Sequence, residues 1–230
     1  MMSSSELLDV LQVLQLVVYG GLGVAAVVHW RHRPGHASAW LAATFGVLSV
    51  VVVAGQLLPE SSDETMVLWA RKAMVAILGL FPYCLYRFTT SLIRPIPWIW
   101  KVAPVLTAGV VLGALLLPDF PEQGEPRPGW VEAYIALLLI QWVFLTSVVA
   151  VRLWRAGRGR PTALRRRMRT MSLGAAALAA ALVVAGEFSD GREAAVLVQL
   201  LALGAAPLML VGFAPPYALR AAWRRRERPR

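Results

Sequence analysis

Seven long apolar runs, separated by short polar connections, dominate the chain. They cover approximately residues 8–29, 38–58, 66–88, 98–117, 131–153, 170–188 and 193–213. Runs of about 20 apolar residues match the roughly 30 Å of hydrocarbon in a bilayer. They are continuous and lack the alternation of barrel strands, so helices are predicted. The pattern predicts an all-α fold, a seven-helix transmembrane bundle that forms one membrane domain over residues 1–230.

Basic and acidic residues lie in different connections between the apolar runs. Nineteen of the 23 basic residues lie after the odd-numbered runs, whereas every acidic residue except Glu227 lies on the side of the N-terminus. Basic connections stay in the cytoplasm. This asymmetry predicts an external N-terminus, a cytoplasmic C-terminus and an odd number of crossings.

Composition agrees with a multi-pass protein of the cell membrane. The chain is 58% hydrophobic and only 16% charged, below the roughly 25% of a soluble domain. The first run follows an acidic leader (Glu6, Asp9) without a basic segment, so it is not read as a cleaved signal peptide. The lone Cys84 lies inside a run and is interpreted as a packing residue.

The net charge of +10 does not indicate nucleic-acid binding, because the arginines lie beside the membrane. The positive-inside rule by itself explains them. They also lie where anionic lipids at the cytoplasmic face would attract them, by roughly 1 kcal/mol for each basic residue.

A weak internal repeat relates the first three runs to the last three. Residues 52–56 ("VVAGQ") match 183–187 ("VVAGE"), and Pro82 and Pro207 begin two segments that share leucine and phenylalanine at equal offsets. The match predicts a 3+1+3 parallel repeat in which the two prolines are paired hinges. Chance in a biased composition is the alternative.

Polar residues within the runs concentrate in the half predicted to be external. Because such residues are costly in a bilayer, they are candidates for function. An outward-facing polar pocket is predicted, with these ligand-binding candidates: Gln56, Arg71, Gln141, Glu187 and Gln199. Arg71 would supply the counter-charge. The alternative is that the charged members are rim residues whose side chains extend to water.

Signals for catalysis or for a cofactor are missing from the sequence. The seventh run holds no lysine for a retinal Schiff base, and no phosphate loop, GxSxG or HExxH motif occurs. His29, His32 and His36 cluster in "HWRHRPGH", but Pro34 and Gly35 interrupt the helix that would align them as metal ligands. We expect a protein that is not an enzyme and has no metal or cofactor.

Two segments resemble a known family. "LFPYCLYRFTTSL" and "GFAPPYALRAAWRRRE" are similar to the N-terminal seven-helix region of actinobacterial signalling proteins of the sensor histidine kinase, diguanylate cyclase and serine phosphatase types. The resemblance implies an input module whose seventh helix passes a conformational signal to a cytoplasmic effector. The chain departs from that pattern by ending among arginines, which implies a standalone relative or the membrane portion of a longer protein.

The leading hypothesis is therefore a membrane signal-input module that responds to a small molecule or lipid and acts on a fused or separate cytoplasmic effector. A small 3+1+3 transporter of a polar solute is the alternative, disfavoured because the inner half lacks groups to line an inward path. A scaffold that anchors or dimerises a partner is the third hypothesis, and a homodimer is left open.

Overall fold

The computed structural model describes residues 4–57, 64–118, 128–187, 192–213, 215 and 219; side chains are described from residue 10 onward within these ranges, except those of 56, 57, 64, 186, 187 and 192–195. The described residues form seven helices: α1 Ser4–His32, α2 His36–Leu57, α3 Glu64–Leu92, α4 Pro97–Leu116, α5 Gly129–Ala156, α6 Thr162–Glu187 and α7 Arg192–Phe213. All seven contain a segment long and apolar enough to cross a membrane. The all-α, seven-helix prediction is confirmed.

All seven helices begin before the predicted apolar runs, and α1, α3 and α5 also end after theirs. The largest difference is at α6, which begins at Thr162 rather than near residue 170. Hydropathy marks only the part suited to hydrocarbon, whereas arginine is a good helix former, so the basic segment continues the helix. The extra turn at the end of α3 is polar instead, and the hydroxyls of Thr89, Thr90 and Ser91 donate to carbonyls of the preceding turn.

Proline and glycine mark several helix boundaries. Pro97 occupies the first turn of α4, where its missing N–H costs nothing, and Leu117 leaves the helix in an extended conformation immediately before Pro118. Gly159, with φ of 75°, lies in the turn between α5 and α6. That left-handed conformation favours glycine.

Packing divides the chain into two compact units. The central unit contains residues 19–145, and the terminal unit contains residues 1–18 and 146–230. Helices α1 and α5 contribute to both.

In the central unit, Gly113 of α4 receives the ring of Tyr134 of α5. A Cβ at Gly113 would lie 2.8 Å from the ring, so only glycine leaves room for it. The Tyr134 hydroxyl donates to the Val110 carbonyl at 3.2 Å. Ala76 and Ala114 complete this cluster. The small-residue face of α4 therefore packs against α5.

In the terminal unit, α6 and α7 approach at backbone distance. A Cβ at Gly174 would lie 3.0 Å from the carbonyl oxygen of Ala205, and one at Gly212 would lie 2.9 Å from that of Arg167. Ala175, Ala205 and Ala206 are buried. Small residues thus bring the two backbones together, as in many membrane helix pairs.

Candidate functional site

The central unit contains a buried hydrogen-bonded cluster around Gln141, whose side chain has no exposed surface. Its Nε2 donates to the carbonyl of Gly79 on α3 and to the hydroxyl of Thr107 on α4, both at 2.9 Å. The Thr107 hydroxyl in turn donates to the Ala103 carbonyl at 2.9 Å. We call Gln141, Gly79 and Thr107 the glutamine network, which joins three helices.

The glutamine network meets α3 at its proline. Gly79 precedes Pro82 by three residues, and Pro82 is buried inside the helix. Since proline has no N–H, the carbonyl of Leu78 loses its donor within the helix. Neighbouring helices help prolines to be tolerated in membrane spans by bonding backbone groups at such turns. Gln141 thus contacts α3 where its hydrogen-bond ladder is interrupted.

One atom of the network is left over. Gln141 Oε1 is buried and has no hydrogen-bond partner among the described residues. A buried acceptor without a partner costs roughly 1–3 kcal/mol. The network therefore favours an additional group with an N–H or O–H donor, such as a water molecule or a polar ligand.

Stacked aromatic rings adjoin the network. Phe81 of α3 lies against Trp142 of α5, with ring centroids 4.8 Å apart and planes inclined by 24°. Both side chains are buried. These residues are the immediate neighbours of Pro82 and Gln141, so an apolar contact and a polar contact join α3 to α5 at one level.

Lys72 of α3 is a buried cation in the central unit, with only 6% of its surface exposed. Its Nζ donates to the Leu117 carbonyl at 3.0 Å and lies 5.5 Å from the Trp69 ring. The last carbonyls of a helix lack donors and carry partial negative charge. Lys72 therefore caps the C-terminus of α4.

Arg87 of α3 is surrounded by aromatic rings. Its guanidinium carbon lies 4.2 Å from the centroid of Trp100, 4.9 Å from that of Trp40 and 5.9 Å from that of Tyr83. Each such contact contributes about 0.5–2 kcal/mol, depending on desolvation. Arg87 and these three rings therefore connect α2, α3 and α4.

In the terminal unit, Arg167 holds the end of α7. Its Nε donates to the Gly212 carbonyl at 3.0 Å and its Nη2 to the Phe213 carbonyl at 2.5 Å. Hydrogen bonds from a charged donor are roughly twice as strong as neutral ones. We call Arg167, Gly212 and Phe213 the α7 exit clamp.

A second glutamine pair lies in the terminal unit. The Nε2 of Gln15 donates to the backbone carbonyl of Gln199 at 3.4 Å. Gln199 Oε1 is buried without a hydrogen-bond partner among the described residues. Like Gln141, Gln199 offers an acceptor to a donor group.

The other sequence-predicted residues have different surroundings. Arg71 is exposed. Pro207 is exposed whereas Pro82 is buried, so the two prolines that the repeat pairs differ in environment. The side chains of Gln56 and Glu187 lie outside the described residues. The structure brings Gln141 to the turn of Pro82, and the pocket assignment itself stays a prediction.

His29, His32 and His36 do not gather into a cluster of metal ligands. Across the described ranges, no three side chains of His, Cys, Asp or Glu lie together as metal ligands. The imidazoles of His32 and His36 are exposed.

The site residues predicted from sequence did not include three cations with defined contacts: Lys72, Arg87 and Arg167. Lys72 lies next to Arg71 inside an apolar run, and this was a usable signal, because a lysine within a membrane span needs a partner. Arg167 lies among other arginines and Arg87 lies near the end of the third apolar run, and neither position in the sequence indicates a partner. Only the packing of the helices selects which arginine meets a carbonyl or an aromatic ring.

Comparison with known proteins adds no family. No family model matches the chain, and neither a curated protein nor a solved structure matches it.

Proposed function

We propose that this chain is a membrane signal-input module, with its N-terminus outside and its C-terminus in the cytoplasm, whose output leaves through α7. The orientation is supported by the separation of basic and acidic connections. In this orientation the C-terminus of α7 meets the cytoplasm, where an effector would receive the signal.

The α7 exit clamp is the observation that carries the proposal. Arg167 of α6 donates to the two last carbonyls of α7. A shift or rotation of α7 would break these charge-assisted bonds, so the helix end has one defined bound position. Because the two bonds form or break together, the end of α7 has a bound and a released state, and a signal can shift the balance between two such states.

Helix α7 carries the other parts that a signal requires. Gln199 lies two turns before Pro207, and its buried Oε1 offers an acceptor to a donor group from a ligand. On its contact with α6, the buried side chain of Met209 lies at Gly174 and that of Met171 at Gly212, so a shift of α7 would also have to move these two side chains. A ligand shifts α7 only by its differential affinity for the two states. The ligand residues proposed from sequence remain Gln56, Arg71, Gln141, Glu187 and Gln199.

The proposal is tested with a reporter fused after Arg230. A cytoplasmic diguanylate cyclase is joined to the wild-type chain and to variants, and cyclic dinucleotide is measured at matched membrane levels. We expect Arg167→Ala to change basal output several-fold, Arg167→Lys to change it partly, and Arg166→Ala to leave it unchanged. Equal output from all four chains contradicts a signal that leaves through α7.

A small transporter, for which the 3+1+3 repeat is the sequence argument, predicts a different result. Proteoliposomes containing the chain would accumulate labelled polar solutes above empty vesicles. If such uptake is seen, and the reporter output is the same in the wild type and the variants, the transporter hypothesis replaces the sensor hypothesis. Binding without uptake, lost in Gln56→Ala or Glu187→Ala, supports the sensor.

A further inference from the structure

An apolar groove of about 670 Å³ runs between α1 and α2 in the central unit. Its volume falls within the roughly 300–1,000 Å³ of small-molecule sites. Among the described residues that line it, Ser49 alone has a polar side chain. The Ser49 hydroxyl already hydrogen-bonds to the backbone carbonyls of Tyr19 and Phe45. The groove therefore presents an apolar surface.

Glycines give the groove its depth. A Cβ added at Gly20 or at Gly46 would meet no atom within 4 Å, so both positions open onto free space. Gly23 differs, because a Cβ there would overlap Ser49, and it serves the close approach of α1 to α2. Val24 and Val50 form exposed walls, with 66% and 49% of their surfaces accessible. The shape fits a long, flexible apolar chain.

The groove leads to a basic end. Residues three or four apart share a helix face, so the α1 wall of Val24, Val27 and Val28 continues to Arg31 and His32. On α2, His36 lies two heptads before Val50 and therefore shares its helix face. All three of these polar side chains are exposed. The N-terminus of α2 lies at the same end and adds partial positive charge.

We propose that this groove binds one anionic phospholipid, with an acyl chain between Gly20 and Gly46 and the phosphate at Arg31, His32 and His36. The apolar groove matches the acyl chain of such a lipid, and the donors at its end match the phosphate. Arginine binds phosphate through two parallel hydrogen bonds. The inference requires only that α1 and α2 lie in a membrane, and does not rest on the sensor proposal.

A second copy of the chain fits the groove less well. A two-fold dimer would use the same surface on both subunits, and with its axis along the membrane normal it would bring the two basic ends to the same level. The cationic end would then face its own equivalent across the interface, and like charges repel. Charge complementarity therefore selects an anionic occupant.

The test is native mass spectrometry of the purified full chain, equilibrated with equal amounts of dioleoyl phosphatidylglycerol and dioleoyl phosphatidylcholine. We expect the wild type to retain one phosphatidylglycerol in preference to phosphatidylcholine. Gly20→Leu, which fills the groove, should reduce that occupancy at least fivefold. Arg31→Gln should reduce the preference about fivefold, since roughly 1 kcal/mol per basic residue corresponds to that factor.

Matched controls separate the groove from general effects. Gly21 is exposed, has open space at its Cβ and does not line the groove, so Gly21→Leu should retain the lipid. Lys101→Gln removes an exposed charge from α4 and should also have no effect. If Gly20→Leu does not fold, the test is repeated with Gly46→Leu, and Gly55→Leu is its control because Gly55 also has open space at its Cβ.

Three results would overturn the proposal. The first is equal retention of the two lipids by the wild type, which indicates unselective surrounding lipid. The second is equal loss of phosphatidylglycerol in Gly20→Leu and Gly21→Leu. The third is a dimer that disappears in Gly20→Leu, which would make a second copy the occupant.

Discussion

The side-chain amide of Gln141 donates a 2.9 Å hydrogen bond to the backbone carbonyl of Gly79, three residues before Pro82. One buried side chain on α5 therefore reaches the turn of α3 that has lost a backbone donor. The same amide also donates to Thr107 of α4. Two residues that the sequence suggested for separate roles, a ligand contact and a hinge, thus act on one turn.

The glutamine network predicts unequal effects for its two side chains. Thr107→Val leaves one buried amide N–H without an acceptor, so we expect the free energy of unfolding to fall by about 1–2 kcal/mol. Gln141→Leu should cost less, roughly 1 kcal/mol, because it also removes the unpartnered Oε1. Unfolding in mixed detergent and dodecyl sulfate micelles, followed by tryptophan fluorescence, measures both.

Two controls accompany that measurement. Gln12→Leu changes an exposed glutamine on α1 and should leave stability nearly unchanged. The double variant Thr107→Val with Gln141→Leu should be no less stable than Thr107→Val. Strictly additive losses would mean that the two side chains do not interact.

The contact between α6 and α7 predicts that two glycines of α7 respond oppositely to alanine. A Cβ at Gly212 would lie 2.9 Å from the Arg167 carbonyl oxygen, so Gly212→Ala should lower the free energy of unfolding by about 1–3 kcal/mol. Gly204→Ala meets no atom within 4 Å and should raise it by roughly 0.5–1 kcal/mol. Thermal denaturation in detergent measures the pair, and equal shifts would refute the close approach.

The cap on α4 predicts a contrast between neighbouring cations. Lys72→Met removes the hydrogen bond to the Leu117 carbonyl and should lower the free energy of unfolding by about 1–2 kcal/mol. Arg71→Met changes an exposed side chain and should stay within about 0.5 kcal/mol. The same micelle unfolding assay compares them. A larger loss for Arg71→Met would contradict the capping role of Lys72.

The proposed orientation predicts which connections are accessible from outside. Cysteines replace Pro128, before α5, and Arg160, between α5 and α6, in a Cys84→Ser background. Both positions are exposed, whereas Cys84 is buried. In intact cells an impermeant maleimide should label position 128 but reach position 160 only after permeabilisation, because the arginine-rich connection stays inside. Labelling of position 160 in intact cells would reverse the topology.

The sequence by itself determined the class of fold and the number of helices. Hydropathy depends only on how many consecutive apolar residues occur, and about 20 of them suffice to span hydrocarbon whatever their neighbours are. It located the helices less accurately at their ends. The basic segment of α6 is helical well before its apolar part, because backbone hydrogen bonding does not stop where hydrocarbon does.

Tertiary structure alone decided which polar groups meet. Lys72 and Arg71 are adjacent in sequence and carry the same charge, yet Lys72 caps α4 whereas Arg71 is exposed. Arg167 is one of several arginines in its segment, and only the position of the α7 end gives it two carbonyl partners. Such contacts depend on helix rotation and on close approach at glycines. These come from the packing of several helices at once, and the order of residues along one helix does not contain them.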